Sequence, residues 1–161
     1  MNPFLYKINI KSKTNSEVGL PKKSVQSSKI SSLGLEKDFN RFRTTKKAND
    51  PDMAIMLLSM DILDNLNKEG WPVKPGDLGE NLTLKNINYS TLKPNQKYAI
   101  GSVEIQISFI CSPCNNLKYL KYVGDSKKDR FIKTLLNRRG WYARVLKEGK
   151  INTGDIFESI F

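Results

Sequence analysis

The sequence predicts a mainly β fold, a barrel or sandwich carrying a few short helices, and three observations predict it. Val103, Ile105, Ile107 and Phe109 alternate with Glu104, Gln106 and Ser108, the period of a half-buried strand. Short apolar runs bounded by Gly, Pro, Asn or Asp recur along the chain, while only two stretches carry the spacing of an amphipathic helix. The 161 residues suit one domain spanning 1–161 and are enough to enclose a hydrophobic core.

Taken in order, Leu5, Ile8 and Ile10 mark an opening strand rich in Lys and Asn. Gly19-Leu20-Pro21-Lys22 reads as a turn, and Val25 to Ile30 as a short strand with polar edges. Ala54 to Leu58 is an apolar run of buried-strand length. Ser59 follows as an N-cap, with Asp61 at the positive helix start, Ile62, Leu63 and Leu66 as the apolar stripe, and Gly70 as the stop. Turn residues fill the middle: Trp71-Pro72, Lys74-Pro75-Gly76-Asp77 and Gly79. The long alternating strand from Val103 ends at Cys111-Ser112-Pro113-Cys114. A second helix is predicted over Ser126 to Asn137, with Phe131, Ile132, Leu135 and Leu136 on one face and Arg138 and Arg139 at its negative end. Trp141 to Leu146, Glu148-Gly149 and Ile151 read as a hairpin, and Gly154-Asp155 as the next turn.

Composition narrows the chemistry. The chain has no histidine, which excludes Ser-His-Asp and Cys-His catalysis and His-ligated metal sites. Its two cysteines cannot complete a four-cysteine zinc site or a disulfide scaffold. The formal net charge is +11, and it is unevenly spread. Residues 1–50 carry a net +7 and residues 118–150 a net +8, with acidic residues in slight excess elsewhere. No apolar run approaches the ~20 residues of a membrane-spanning helix, and the first residues lack an apolar export core, so a cytoplasmic protein with reduced thiols is expected, with no membrane partner.

Four motifs stand in register. They are Gly76-Asp77-Leu78-Gly79-Glu80-Asn81-Leu82, Gly101 before the long strand, Pro113-Cys114-Asn115-Asn116-Leu117, and Arg139-Gly140-Trp141-Tyr142-Ala143-Arg144 leading to Gly149 and Gly154-Asp155. In that order and spacing the chain resembles the MOSC domain, found at the C-terminus of molybdenum-cofactor sulfurases and in molybdenum-dependent amidoxime reductases. A departure lies near the N-terminus. Where standalone members usually carry G-L-x-G-D-R-H, this chain keeps Gly34, Leu35 and Asp38 but has Lys37, Phe39 and Asn40 in place of the Gly, Arg and His. Arg41 or Arg43 could supply the positive charge instead.

The resemblance implies a MOSC-type β-barrel with a few short peripheral helices and a cleft for molybdenum cofactor (molybdopterin). It implies that Cys114 acts as metal ligand or sulfur carrier, and thiolate chemistry suits both roles. Gly79, Glu80 and Asn81 become cofactor contacts, since glycine admits close approach and an Asn amide both donates and accepts. Arg139 and Arg144 are the preferred anion contacts, with Lys22 a further candidate. Read without the resemblance, Cys114 is equally a small core hydrophobe, and Gly79 to Asn81 a turn closed by an Asx hydrogen bond. Cys111 extends the apolar face of the strand and reads as core.

Three functions follow. The first is a protein that binds molybdenum cofactor, or carries sulfur from a donor protein, through one cysteine. The second is a molybdenum-dependent reductase of N-hydroxylated compounds served by a separate electron-transfer partner. The third is a basic nucleic-acid-binding module, motivated by Tyr119, Tyr122, Trp141 and Tyr142 among basic residues but supported by no recognition motif.

Overall fold

A computed structural model describes residues 1–14 and 18–161. Among the described residues the chain runs β1 (Phe4–Ile10), β2 (Lys23–Val25), β3 (Ser27–Ser31), β4 (Gly34–Leu35), α1 (Arg41–Lys46), β5 (Ile55–Ser59), α2 (Met60–Lys68) and β6 (Leu82–Lys85). It continues through β7 (Lys97–Ile100), β8 (Val103–Ile110), α3 (Gly124–Thr134), β9 (Trp141–Lys147), β10 (Gly149–Asn152) and β11 (Phe157–Ile160). The fold is thus mainly β with few helices, as the alternation predicts.

The main sheet has the order β11-β7-β8-β9-β5-β6-β1-β2, and a smaller sheet has β10-β3-β4. Neighbours are antiparallel except β5 and β6, which pair in parallel through Leu57–Leu82, Leu58–Thr83 and Ser59–Leu84. A parallel pair cannot be joined by a tight turn, so the chain must cross over. Here the crossover is α2 followed by the glycine-containing loop of residues 70–81. The same constraint makes β5 a central strand whose five residues are all buried. Leu57, Leu58, Leu82, Ile105 and Ile107 join Leu63 and Leu66 of α2 and Phe131 of α3 in one hydrophobic cluster.

The expected barrel is not closed. β1 reaches β11 only through an isolated bridge between Phe4 and Ile156, with the Leu5 N–H donating to the Asp155 carbonyl at 2.8 Å. β2 occupies the flank of β1 from Ile8 to Ile10, so a continuous β1–β11 ladder has nowhere to form.

Local corrections have equally concrete causes. The Val25–Ile30 strand is split at Gln26, with β2 in the main sheet and β3 in the smaller one. The hairpin expected from Trp141 to Ile151 is absent, because β9 pairs with β8 and β5 while β10 pairs with β3. In β8 the alternation holds through Ile107, then the register shifts between Ile107 and Ile110 and Phe109 turns outward, 41% exposed. α3 starts at Gly124 and ends at Thr134; Asn137 takes a left-handed φ of 63°, which leaves Leu136 exposed while Phe131 and Leu135 stay buried. Ser59 occupies the N-cap of α2, but its hydroxyl pairs with the Asp61 carboxylate rather than capping a backbone N–H.

Two buried polar groups hold the crossover loop to the sheet. The Asp38 carboxylate accepts from the Lys22 ammonium at 2.6 and 2.8 Å, the Lys11 N–H at 2.8 Å and the Asn81 amide at 2.8 Å. Asn81 in turn accepts the Met56 N–H at 3.1 Å, so one side chain links β5 to Asp38. Glu80, fully buried, accepts the Gly76 N–H at 2.7 Å and the Thr83 hydroxyl at 3.1 Å through Oε1, while Oε2 has no partner. Burial pushes the Glu80 carboxyl up to about 7, against the pull of its hydrogen bonds.

Asp38→Ala leaves the Lys22 ammonium buried without a counter-charge. Urea denaturation is expected to show a loss of about 3–5 kcal/mol, recovered in large part by pairing Asp38→Leu with Lys22→Met. For Glu80, the native state keeps a proton that the unfolded chain releases, between the ordinary value of 4.5 and about 7. Its contribution to stability therefore falls as pH rises through that window and levels above it. Glu80→Gln is expected to match the parent near pH 4 and to exceed it by roughly 2–3 kcal/mol near pH 8, read from denaturation midpoints at the two pH values.

Candidate functional site: a thiol cleft

Cys114 stands just past the end of β8, in extended backbone (φ −134°, ψ 169°), where it starts the short 3₁₀ turn Asn115–Tyr119. Leu117, fully buried, pins that turn to the core and leaves the Cys114 thiol half-buried. Its sulfur accepts an N–H from Arg139 Nη1 at 3.1 Å. Arg139 precedes β9 and is 7% exposed. Nη1 also donates to the Ser112 carbonyl at 3.1 Å, while Nε and Nη2 donate to the Leu78 carbonyl at 3.3 and 3.2 Å. One guanidinium thus joins the crossover loop, the cysteine segment and the start of β9, and it places a permanent positive charge at the sulfur. Gly140 makes this possible: its φ is 132°, and a Cβ there would stand 2.7 Å from the Leu57 carbonyl oxygen.

Cys114, Arg139, Gly79 and Lys22 line one cleft of about 360 Å³. Gly79 has a left-handed φ of 87°, and its missing side chain leaves space beside Arg139 Nη2, which is 3.8 Å from the position a Cβ would take. The Lys22 ammonium faces the cleft already paired with Asp38. Three predicted residues lie elsewhere. Glu80 is sealed beneath the loop it braces, and Asn81 lines a different cavity with its amide spent on Asp38 and Asn9. Arg144 does not line the cleft; it is part-exposed in an ion pair with Asp52 at 2.5 Å. Arg139 itself, chosen as an anion contact, directs its N–H groups at carbonyls and the thiol.

The altered N-terminal motif is also resolved. Lys37, at the position of the usual glycine, adopts a left-handed φ of 62°. Asn40, at the position of the usual histidine, lines the cleft and caps α1 by accepting the Arg43 N–H at 2.9 Å. Arg43 is turned away into the second cavity, so it adds no charge to the cleft. The exposed cation found there is Lys47, its ammonium 5.6 Å from the centre of the Phe42 ring. No motif announced Lys47 or Phe42, and Phe109 entered the cleft only through the register shift in β8. Asn116 was within reach of sequence reasoning, since it lies inside the P-C-x-x-L motif.

The other cysteine behaves as core. Cys111 is 2% exposed and packs with Met53, Met56 and Tyr142, its sulfur 3.3 Å from the Tyr142 hydroxyl. Burial pushes its thiol up, away from thiolate character. The aromatic residues proposed for stacking on nucleic acid are largely committed. Tyr142 is buried, Trp141 packs against the core, and Tyr122 donates its hydroxyl to Asp77 at 2.9 Å. Among the described residues, no helix is long and apolar enough to cross a membrane.

Known structures share this fold. Of solved structures, YuaD from Bacillus subtilis superimposes with a TM-score of 0.78 at 18% identity, over 98% of this chain and 94% of that one. YiiM from Geobacillus stearothermophilus gives 0.74 at 23% identity, over 99% of this chain and 75% of its own. YiiM from Escherichia coli gives 0.69 at 21% identity, over 98% and 70% respectively. At these identities the likeness is one of fold. No curated protein matches the chain. The MOSC domain profile, however, matches residues 44–158, a stretch that runs from α1 through the cysteine loop to β11. With well over half of its length inside that match, the chain belongs to the MOSC domain family.

Proposed function

We propose that the thiol cleft holds molybdenum cofactor, with Cys114 either ligating the metal or carrying a sulfur atom for it. The observation that carries this reading is the position of the Cys114 sulfur, half-buried in a cleft and 3.1 Å from the buried Arg139 guanidinium. Thiolate is the soft donor that molybdenum favours, and a thiol at a cleft wall is reachable by a ligand. The other lining groups fit such an occupant. Gly79 leaves backbone approachable, Asn40 and Asn116 offer amides that donate and accept, and Lys47 offers a charge for a phosphate. When bound, the cofactor supplies a redox-active molybdenum centre. Among the described residues no cluster of three or more Cys, Asp or Glu side chains stands ready to hold a metal, so the protein's donor in this reading is the single thiol.

As a sulfur carrier, the Cys114 thiolate attacks the outer sulfur of a donor's persulfide. The donor's S–S bond breaks, the donor leaves as a thiolate, and Cys114 gains the sulfur as a persulfide. Arg139 balances negative charge on the sulfur before and after transfer. A reducing cytoplasm and a separate sulfur-donor protein complete this scheme.

Metal and pterin analysis of protein purified from a cofactor-producing host tests the reading. The wild type is expected to retain molybdenum and pterin, or to gain one sulfur by mass on exposure to a persulfide donor. Cys114→Ser, at a half-buried position, is expected to lose both while keeping its thermal midpoint within a few degrees. A wild type that holds no metal or pterin and takes up no sulfur would overturn the proposal.

A further inference from the structure

The crossover loop that walls the thiol cleft carries two carboxyl groups three residues apart, Asp77 at 3% exposure and Glu80 fully buried. Among the described residues no Lys or Arg pairs with either. Asp77 Oδ2 accepts the Lys74 N–H at 3.2 Å and the Tyr122 hydroxyl at 2.9 Å. Glu80 spends Oε1 on the Gly76 N–H and the Thr83 hydroxyl and leaves Oε2 without a partner. The groups that face Glu80 are therefore Asp77 from its own loop, the Thr83 hydroxyl of β6, and Tyr122, whose hydroxyl is already given to Asp77. Lys74, the one ammonium in the loop, is exposed and stands nearer Asp77. An ionised Glu80 in this place has no counter-charge, one oxygen with no donor, and a second carboxyl beside it, which is a costly arrangement.

The same loop is tied to the thiol. Leu78 and Gly79 lie between the two carboxyls. The Leu78 carbonyl accepts two of the four hydrogen bonds made by the Arg139 guanidinium, and the other two go to the Ser112 carbonyl and the Cys114 sulfur. Gly79 lines the cleft, and its N–H closes the turn on the Gly76 carbonyl at 3.1 Å. That carbonyl also takes the Lys22 N–H at 2.8 Å. The bond from the Gly76 N–H to Glu80 thus braces the turn from its far end, so whatever displaces the Glu80 carboxyl loosens Gly79 and Leu78 together.

We infer that Glu80 is a proton-operated latch on the thiol cleft. Neutral, it holds the Gly76–Gly79 turn shut; ionised, it favours an open turn that takes the carboxylate into water, moves Gly79 off the cleft wall and parts Arg139 from the Leu78 carbonyl. Opening of one loop, short of unfolding, is the kind of local transition that such a charge can drive. The sign follows from linkage. Burial holds the carboxyl up to about 7 in the closed turn, against an ordinary value of 4.5 in water, so closure is strongest below 4.5 and weakens as pH rises through about 7. The closed-to-open equilibrium then moves toward open about a hundredfold between roughly pH 4.5 and 7.5. This inference names a regulation of the cleft and rests on Cys114 as its reactive group, but it needs no cofactor, and its failure would leave the cofactor reading standing.

The test is amide hydrogen exchange of the full chain, ¹⁵N-labelled and free of cofactor, followed as protection factors across that pH range. Protection of the Gly76 and Gly79 amides is expected to fall about a hundredfold, while Ile107 in β8 stays better protected at every pH. Glu80→Gln, which keeps an acceptor for the Gly76 N–H, is expected to lose most of the fall. Asp77→Asn removes the neighbouring like charge and is expected to end the fall at a lower pH. The rate at which a bulky maleimide modifies Cys114, divided by that of iodoacetamide to remove thiol ionisation, is expected to rise over the same range in the parent and to stay level in Glu80→Gln. The inference fails if loop protection does not change with pH, if Glu80→Gln shows the same fall, if the loop amides share the protection of Ile107 throughout, or if the reagent ratio stays level in the parent.

Discussion

The Asp38 carboxylate is the interaction on which the site depends. It gathers the Lys22 ammonium, the Lys11 N–H and the Asn81 amide, three donors from three separate segments. Through Asn81 it reaches Met56 in β5, the central strand, and through Lys22 it reaches the wall of the thiol cleft. A charge this deeply placed is tolerable only because it is paired and fully hydrogen-bonded. The position of the crossover loop, and with it Gly79, follows from satisfying that carboxylate.

Arginine serves a related purpose twice. Arg43 and Arg139 are both buried, and both spend most of their N–H groups on backbone carbonyls of irregular segments. Loops that fold over a core leave carbonyls that no ladder satisfies, and a planar guanidinium collects several at once. The two then differ in what remains. Arg139 gives its residual donor capacity to the Cys114 sulfur, whereas Arg43 faces open space. Much of the chain's positive charge is similarly occupied: Arg138 makes a bidentate pair with Glu69, and Arg144 pairs with Asp52. Those pairs already cancel within the net +11, so the excess positive charge rests on other Lys and Arg side chains.

What was legible in the sequence was what depends on local pattern. The alternation of β8 as far as Ile107, the apolar run of β5 and the burial of Cys111 could all be read from neighbouring residues. What escaped depends on partners far along the chain. Nothing local says that β10 joins β3 rather than β9, or that β2 takes the flank of β1 on which a barrel would close. The inversion of Phe109 comes from a register shift that alternation cannot reveal. Arg144 and Glu80 sit in motifs beside cleft residues, yet Arg144 is drawn to Asp52 and Glu80 is buried under its own loop, so adjacency in a motif is weak evidence of a shared site.

The parallel pairing of β5 with β6 has a consequence in time as well as space. It requires the crossover, and the cleft it helps build draws on Lys22, Gly79, Cys114 and Arg139, which are spread over most of the chain. Contacts of such long range form late, once loop closure has been overcome. During synthesis the thiol of Cys114 must therefore emerge before the guanidinium that accompanies it, and a finished cleft exists only when β9 has docked between β8 and β5. Any occupant of the cleft could bind only after that docking, and one that bridges these segments would hold the two halves of the chain together by mass action.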